Sequence, residues 1–432
     1  MDLLDVNDRP LAYPDSWYAA TSRLPRPRPP LEGDTRCHVC IVGAGYTGLS
    51  AAMTLAAAGA DVVVLDAQRV GFGASGRNGG QVGSGQRVDQ ITLEARLGEG
   101  HARALWDIAE AAKARVRAVA DEHAPDARWT PGVADVERTD AAARHAHRLA
   151  EHLARRYGYD RIEPLDRAAA AALTGSGRFA GGALDHGAAH VQPLRLALGM
   201  ARAAEAAGAR IHEGTRATAL EEGPRPVVAT DRGRVTADHA ILAGNGYLGG
   251  LEPRVAARVM PINNFIVATE PLGPAMPLAR DVAVADGAFV VSYWRRTPDN
   301  RLLFGGGETY GYRFPRDVRA LVRRPLLKVY PQLADARITH AWGGTLAVTA
   351  GRLPHLARVA PRVLSAGGYS GHGVSMATIA GQILGEAILG RPGRFDAMAA
   401  IPSRPFPGAG RARTPLLALA MTWYAMRDRL GL

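Results

Sequence analysis

The feature that most constrains this 432-residue chain is a glycine-rich loop set between an apolar strand and a helix. Val39-Cys40-Ile41-Val42 runs into Gly43-Ala44-Gly45-Tyr46-Thr47-Gly48, and Ala52, Leu55 and Gly59 continue at helical spacing. A second apolar run, Val62-Val63-Val64-Leu65, ends at Asp66, 18 positions after Gly48. A GxGxxG alone is a weak signal. Placed between strand and helix, with an acid at the end of the next strand, it predicts a dinucleotide site. Gly43 makes the tight turn, Gly45 lets backbone approach a pyrophosphate, and Gly48 lets helix and strand pack closely. The helix start supplies unpaired N–H groups and a positive dipole end. Asp66 can accept from ribose hydroxyls, with Ala67, Gln68 and Arg69 directly behind it.

Two more glycine clusters point to a larger ligand. Gly71-Phe72-Gly73-Ala74-Ser75-Gly76-Arg77-Asn78-Gly79-Gly80 begins five residues after Asp66, and Gln81 follows it. Such density implies backbone pressed against something flat or anionic. Arg77 can pair with phosphate, and Asn78 with the edge of a heterocycle. The third cluster, Gly367-Gly368-Tyr369-Ser370-Gly371-His372-Gly373-Val374, reads as a strand-to-helix turn. A helix starting near His372 would aim its positive end at a reduced flavin, whose charge lies over N1 and the C2 carbonyl. Gly175-Ser176-Gly177 and Gly305-Gly306-Gly307 lack the strand-loop-helix setting, so no second dinucleotide site is expected. A nicotinamide dehydrogenase would leave the second and third clusters without a role.

Composition narrows the class further. The chain has 52 Lys+Arg against 41 Asp+Glu, a formal charge of +11, but no basic run interleaved with aromatics. No nucleic-acid partner is expected, and a non-catalytic flavin- or nucleic-acid-binding protein is the weaker alternative. Two cysteines, Cys37 and Cys40, exclude a disulfide framework and fit buried strand positions in a reducing compartment. No metal site is expected, and His145, His147 and His152 read as residues of a solvated helix. Met1–Pro10 has no apolar signal core, so a cytoplasmic protein is expected. The exception is 411–429, where the apolar stretch 414–426 is flanked by Arg411, Arg413, Arg427 and Arg429. Packing against protein is preferred there over a peripheral contact with the inner face of the membrane.

The periodicity predicts an irregular arm over 1–35, proline-rich from Arg23 to Pro30, and a β-α-β unit at 37–66. Helices are expected at 97–123, 138–157, 193–208, about 315–330 and 372–389. Strands are expected at 209–220, 226–230, 234–243 and 362–366, with alternating strands from 258 to 304 broken by the turn Pro298-Asp299-Asn300.

In these residues the chain resembles the D-amino-acid-oxidase-like (DAO) flavoproteins, and within them γ-glutamylputrescine oxidase-like and L-pipecolate oxidase-like bacterial enzymes. The GAGYTG, GASGRNGG and GGYSGHGV segments occur in the family's order over nearly the whole chain. Ser16-Trp17-Tyr18-Ala19, Met260-Pro261-Ile262-Asn263-Asn264 and Ser292-Tyr293-Trp294-Arg295 support the likeness. The resemblance implies a mixed α/β fold: a Rossmann-like FAD-binding domain (36–90, 190–248 and 340–400) with an inserted antiparallel-sheet substrate domain (91–189 and 249–339). An N-terminal arm (1–35) and a C-terminal tail (401–432) would flank them. It implies bound FAD contacted by the first two clusters from Gly43 to Gln81, by Ala217, by Ala243-Gly244-Asn245, by Gly343 and Gly368, and by Gly371 to Val374. Relatives that attach flavin covalently use a cysteine where this chain has Trp342-Gly343-Gly344, so FAD is expected to be held without a covalent bond.

The implied chemistry is removal of a hydride equivalent from the carbon beside a neutral amine of a small amine or amino acid. Oxygen or, in a membrane-associated dehydrogenase, a quinone would be the final acceptor. Tyr293 and Arg295, two apart on a strand, share a face, where Arg295 could clamp a substrate carboxylate and Tyr293 orient it. Tyr369 and His372 are the other catalytic candidates, with Asn263 and Asn264 behind them. Substrate identity and oligomeric state are left open.

Overall fold

The computed structural model describes residues 3–288 and 290–407, and the 411–429 segment lies outside them. Two sheets organise the chain. The first is built on five parallel strands in the spatial order Val363–Gly367, Arg234–Leu242, Thr35–Val42, Val62–Leu65 and Arg210–His212. His355–Ala360 closes one edge antiparallel to Val363–Gly367. The hairpin Ala217–Glu221/Val227–Thr230 branches from the start of Arg234–Leu242. Val62–Leu65 reads as an unbroken Val/Leu run because both of its faces are covered.

One face of that sheet is covered by helices Tyr46–Ala57, Pro193–Ala206, Gly373–Ile388 and Glu99–His123, which share its core. Helix Gly373–Ile388 can lie against Tyr46–Ala57 because Gly381 has no side chain. A Cβ there would stand 2.1 Å from the Thr47 carbonyl oxygen. This close crossing brings the third glycine cluster beside the first.

The second sheet has nine strands and is antiparallel apart from one pairing. Its order is Ile338–Val348, Met260–Thr269, Leu302–Thr309, Tyr293–Arg296, Ala283–Asp286, Thr130–Glu137, Gly181–His190 and Gln81–Val82, with Ile162–Leu165 beside Gly181–His190. Ala283–Asp286 runs parallel to Thr130–Glu137. Trp294, Phe304, Phe265, Phe179 and Tyr330 form its separate aromatic core.

The helices fall within a few residues of their expected limits. The strands Thr130–Glu137, Gly181–His190 and Ile338–Val348 were not legible. Gly181–His190 is GGALDHGAAH, without β-branched residues, and Ile338–Val348 is interrupted by Gly343-Gly344. The solvated-helix reading of the histidines needs correction. His147 bonds the carbonyls of Leu165 and Gly182, and His152 lies 2.9 Å from Glu94. Both are used to dock helix Asp140–Tyr157 on its neighbours. Cys37 and Cys40 are free and buried, and burial pushes the Cys37 thiol up to about 12.

Candidate active site

The first loop leaves Thr35–Val42 at Gly43, whose φ of +109° only glycine adopts readily. A Cβ on Gly48 would stand 1.8 Å from the Gly43 carbonyl oxygen, so this turn and the helix after it require both glycines. Gly45 caps helix Tyr46–Ala57 without a side chain of its own. Ser75 of the second cluster accepts from the Tyr46 N–H at 3.0 Å. The N–H groups of Thr47 and Gly48 have no acceptor among the described residues. A helix start with free donors and a bare glycine approach fits a pyrophosphate.

Asp66 lies at the end of the neighbouring strand. Its carboxylate accepts from the N–H of Ala44 at 2.7 Å and of Gln68 at 2.8 Å. Burial lifts its pKa to about 6 in spite of those bonds. Ala67 follows it, half-buried. Ala217 starts the hairpin strand just beyond Thr215, whose N–H bonds the Asp66 carbonyl. Gln68 and Arg69 are occupied by the N-terminal arm. Gln68 bonds Leu4 and Leu11, and Arg69 bonds Pro25 and pairs with Glu213 at 2.9 Å.

The second cluster bridges the two sheets. Asn78 donates to the carbonyls of Ala74 and Ser75 and accepts from the Gly80 N–H at 2.7 Å, so its amide shapes its own loop. Arg77 is buried, lies 4.4 Å from the Phe72 ring centre, and bonds the Phe72 and Gly343 carbonyls and the Asp8 carboxylate. The guanidinium expected to meet a phosphate therefore meets the arm. Tyr247 packs over Gly73. Gln81 opens the edge strand of the second sheet and donates to the Val284 carbonyl at 3.0 Å.

Tyr293 and Arg295 do share a face, and both reach this cluster. A Cβ on Gly79 would stand 2.7 Å from the Tyr293 ring, and one on Gly80 would stand 3.4 Å from Arg295. Tyr293 donates to Asn264 at 2.6 Å. Arg295 is 5% exposed, and its guanidinium bonds the carbonyls of Gly79 and Val191 and the hydroxyl of Tyr18. Arg295 thus braces the loop through its Nε and Nη2 atoms, a use of the side chain that the clamp reading did not include. Asn263 is likewise held inside the sheet by Thr345, Thr309 and Gly311.

At the third cluster, Asn245 (φ +48°) accepts from the Gly368 N–H at 2.9 Å, fixing the Ala243-Gly244-Asn245 segment to it. Tyr369 and Thr47 share a 2.6 Å hydroxyl bond that joins the third cluster to the first. Gly371 has φ +91°, and helix Gly373–Ile388 starts two residues on, with the N–H groups of Gly373 and Val374 unpaired among the described residues. His372 does not cap this helix with its side chain. Its ring packs on Gly83, its Nε2 is buried without a partner, and burial lowers its pKa to about 4, so it is neutral at pH 7. Gly343 turns its Cα toward Phe314 and Phe265 and offers its carbonyl to Arg77.

Several residues in this region were given no role from sequence. Tyr18 is fully buried, donates to the Asn78 carbonyl, and packs edge-on to Trp342, whose indole donates to the Arg77 carbonyl. Arg352 adopts φ +61° in the turn before the third cluster, an unfavourable conformation for a non-glycine residue. Glu308 lies opposite Asn264 in the second sheet and accepts from the Tyr310 hydroxyl at 3.1 Å. The quoted stretch Ser16 to Ala19 was the available signal for Tyr18. Nothing local marked Glu308 or Arg352.

A Rossmann-type loop, two glycine clusters closing over it, and an antiparallel sheet meeting them define a flavoprotein oxidoreductase site. The chain belongs to the family described as FAD dependent oxidoreductase (DAO), which matches residues 38–387. It is an FAD-dependent oxidoreductase. It is 44% identical over 422 residues to "Probable oxidoreductase OrdL" of Rhizobium meliloti, covering 97% of this chain and 99% of that one. It is 39% identical over 423 residues to "Gamma-glutamylputrescine oxidoreductase" of Escherichia coli, with the same coverage. Glycine oxidase from Geobacillus kaustophilus shares the fold, with a TM-score of 0.71 at 22% identity over 82% of this chain and 95% of that one. No helix among the described residues is long and apolar enough to cross a membrane.

Proposed function

We propose that this chain oxidises the C–N bond of an amine carried on a γ-glutamyl group, with FAD held non-covalently and oxygen as the final acceptor. The observation that carries the FAD assignment is the convergence of two helix starts with free N–H groups, at Thr47-Gly48 and Gly373-Val374, on one junction. The first suits a pyrophosphate. The second suits the negative end of a reduced flavin. The substrate class is supported by the relative from Escherichia coli, aligned over nearly the full length of both chains.

Bound FAD would supply the hydride acceptor. Gly43, Ala44, Gly45, Thr47 and Gly48 would hold the pyrophosphate, and Asp66 the ribose. Ala74, Ser75, Asn78 and Gly79 would line the flavin through backbone set by Arg295 and Tyr18. Neutral His372 adds no positive charge there. The antiparallel sheet, with Tyr293 and Asn264 on the face toward the loop, would orient the amine, and no strong acid or base is needed beyond orientation. Both cysteines are buried in Thr35–Val42, consistent with non-covalent attachment.

The test is an anaerobic titration of the purified, flavin-loaded protein with a panel of amines, γ-glutamylated diamines, pipecolate and other amino acids. Bleaching by γ-glutamylputrescine with recovery in air is expected. Bleaching by pipecolate alone would move the substrate class, and recovery only with a quinone would replace oxygen as acceptor. Loss of bound flavin after denaturation by heat or acid would establish that it is not covalent.

A further inference from the structure

Lys113 is a buried cation that the chemistry above leaves unused. It sits in helix Glu99–His123. Its Nζ donates to the Ser84 hydroxyl at 2.5 Å and to the Tyr159 hydroxyl at 3.0 Å, and pairs with Glu110 at 2.9 Å. Ser84 and Tyr159 in turn both donate to Asp185, Tyr159 at 2.6 Å. An ammonium can only donate, and a carboxylate can only accept. Both hydroxyls therefore receive from Lys113 and turn their protons to Asp185, which leaves each a single orientation. The N–H groups of Gly187 and Ala188 hold that carboxylate in strand Gly181–His190. A polar network satisfied in this way is rigid.

What the network holds is a short piece of backbone. Past Gln81–Val82 the chain leaves the edge of the second sheet. Among the described residues, no backbone–backbone hydrogen bond engages Gly83, Ser84 or Gly85. The Ser84 side chain is therefore what ties this segment down, with Glu110, the third partner of Lys113, against the Gly85 backbone. The same segment seats His372. A Cβ on Gly83 would stand 2.7 Å from the Cε1 of that ring, so the ring lies directly on the backbone. His372 immediately precedes helix Gly373–Ile388 and gives it no side-chain cap, so the ring is placed by what it packs on. The first N–H groups of that helix are the unpaired ones of Gly373 and Val374.

We propose that Ser84, clamped between Lys113 and Asp185, is a positioning residue for the flavin. It fixes the Gly83 seat of His372 and, through His372, the direction of the free N–H groups of Gly373 and Val374. The inference rests on the reading that this helix start faces the negative end of a reduced flavin. It brings into the reaction a residue from outside the three glycine clusters.

The test is the midpoint potential of the bound flavin, measured by slow reduction with dithionite against a reference dye. FAD affinity of the flavin-free protein is measured alongside. A helix start that favours the anionic reduced form raises the potential, so loosening it lowers the potential. Ser84→Ala should weaken binding of reduced flavin about five-fold relative to oxidised flavin, a fall of about 20 mV. Affinity for oxidised FAD should change by less than about two-fold. The substitution alters no charge, so a fall reports position. Ser84→Cys, similar in shape but a weak donor, should give a smaller fall. Tyr159→Phe removes a hydroxyl bound to the same two charges but off the segment. It should lower the melting temperature without moving the potential. In a His372→Ala background, Ser84→Ala should add nothing. An unchanged potential in Ser84→Ala, an equal fall in Tyr159→Phe, or a full further fall in the His372→Ala background would each overturn the proposal. Thermal melts identify any variant that loses its fold, and Ser84→Cys then carries the comparison. Reduction by dithionite needs no amine. If no amine bleaches the flavin, the oxidase reading fails and the Ser84 result stands. If amines bleach it while Ser84→Ala keeps the wild-type potential, the positioning role fails and the oxidase reading stands.

Discussion

The glycine loops and the antiparallel sheet that meet at the junction are built differently. On the loop side the work falls to backbone: free N–H groups at two helix starts, a turn at φ +109°, and approaches that a single Cβ would block. On the sheet side it falls to side chains brought together by register: Tyr293 with Asn264, Asn264 opposite Glu308, Arg295 beneath Gly79. Backbone sites tolerate almost no substitution but demand only glycine at fixed spacing. Side-chain sites tolerate change at each position and leave no local mark. Substitutions on the loop side should therefore threaten fold and cofactor together, and those on the sheet side should separate the two.

The largest effect is expected from Gly48→Val. Its Cβ would collide with the Gly43 carbonyl, which is backbone and cannot swing away. The cost should be about 4 kcal/mol or more, enough to lose soluble, yellow protein. Thermal melting with visible absorbance of the purified variant checks it. A stable variant retaining flavin would show that the loop is more yielding than the contact implies.

This contrast explains what the sequence disclosed. The loop side could be read because Gly43, Gly45, Gly48 and Asp66 sit at spacings dictated by one β-α-β unit. The same locality gave the limits of helix Gly373–Ile388. The sheet side was half legible. That Tyr293 and Arg295 share a face follows from strand alternation, but what that face meets depends on Gly79-Gly80, more than 200 positions away in sequence. Asn264 and Glu308 come opposite each other only through the pairing of Met260–Thr269 with Leu302–Thr309. Likewise, nothing in Arg77 alone distinguishes a phosphate partner from the Asp8 carboxylate that it meets.

Arg295→Met probes the boundary between the two regions. Removing the guanidinium leaves the buried carbonyls of Gly79 and Val191 and the Tyr18 hydroxyl short of a donor, a loss of about 2–3 kcal/mol. As a brace, Arg295 should show this as a lower melting temperature and weaker flavin retention, with KM for the substrate little changed. A rise in KM with normal stability and flavin content would return it to the role of carboxylate clamp.

Asp66 gives the loop side a pH signature. Its pKa of about 6 lies above the ordinary carboxylate value, so in the flavin-free protein it is largely neutral at pH 5 and ionised at pH 7. Ribose hydroxyls donate to the ionised form, so affinity for FAD should be full above about pH 7 and fall as pH drops through about 6. Asp66→Asn should weaken FAD binding by roughly ten- to a hundred-fold at pH 7 and flatten that pH dependence. Equilibrium titration of the flavin-free protein between pH 5 and 8 measures both. An unchanged profile in the variant would assign the pH dependence to another group.

The smallest effect is the most discriminating. Ser75 belongs to the second cluster, yet its hydroxyl accepts from the first N–H of helix Tyr46–Ala57, a capping bond supplied from 29 residues downstream. Ser75→Ala should cost about 1 kcal/mol, the usual worth of a cap, with no steric penalty. Gly45, one residue before the helix, would meet the same hydroxyl at 2.9 Å if it carried a Cβ, so Ser75 also sets how closely the two loops approach. Removing it should therefore loosen both loops together and lower FAD affinity by a few-fold beyond any change in melting temperature of the flavin-free protein. Equal losses in flavin-free and flavin-loaded stability would mean that Ser75 is only a cap. A larger loss in the loaded protein would show that the two glycine clusters act as one cradle.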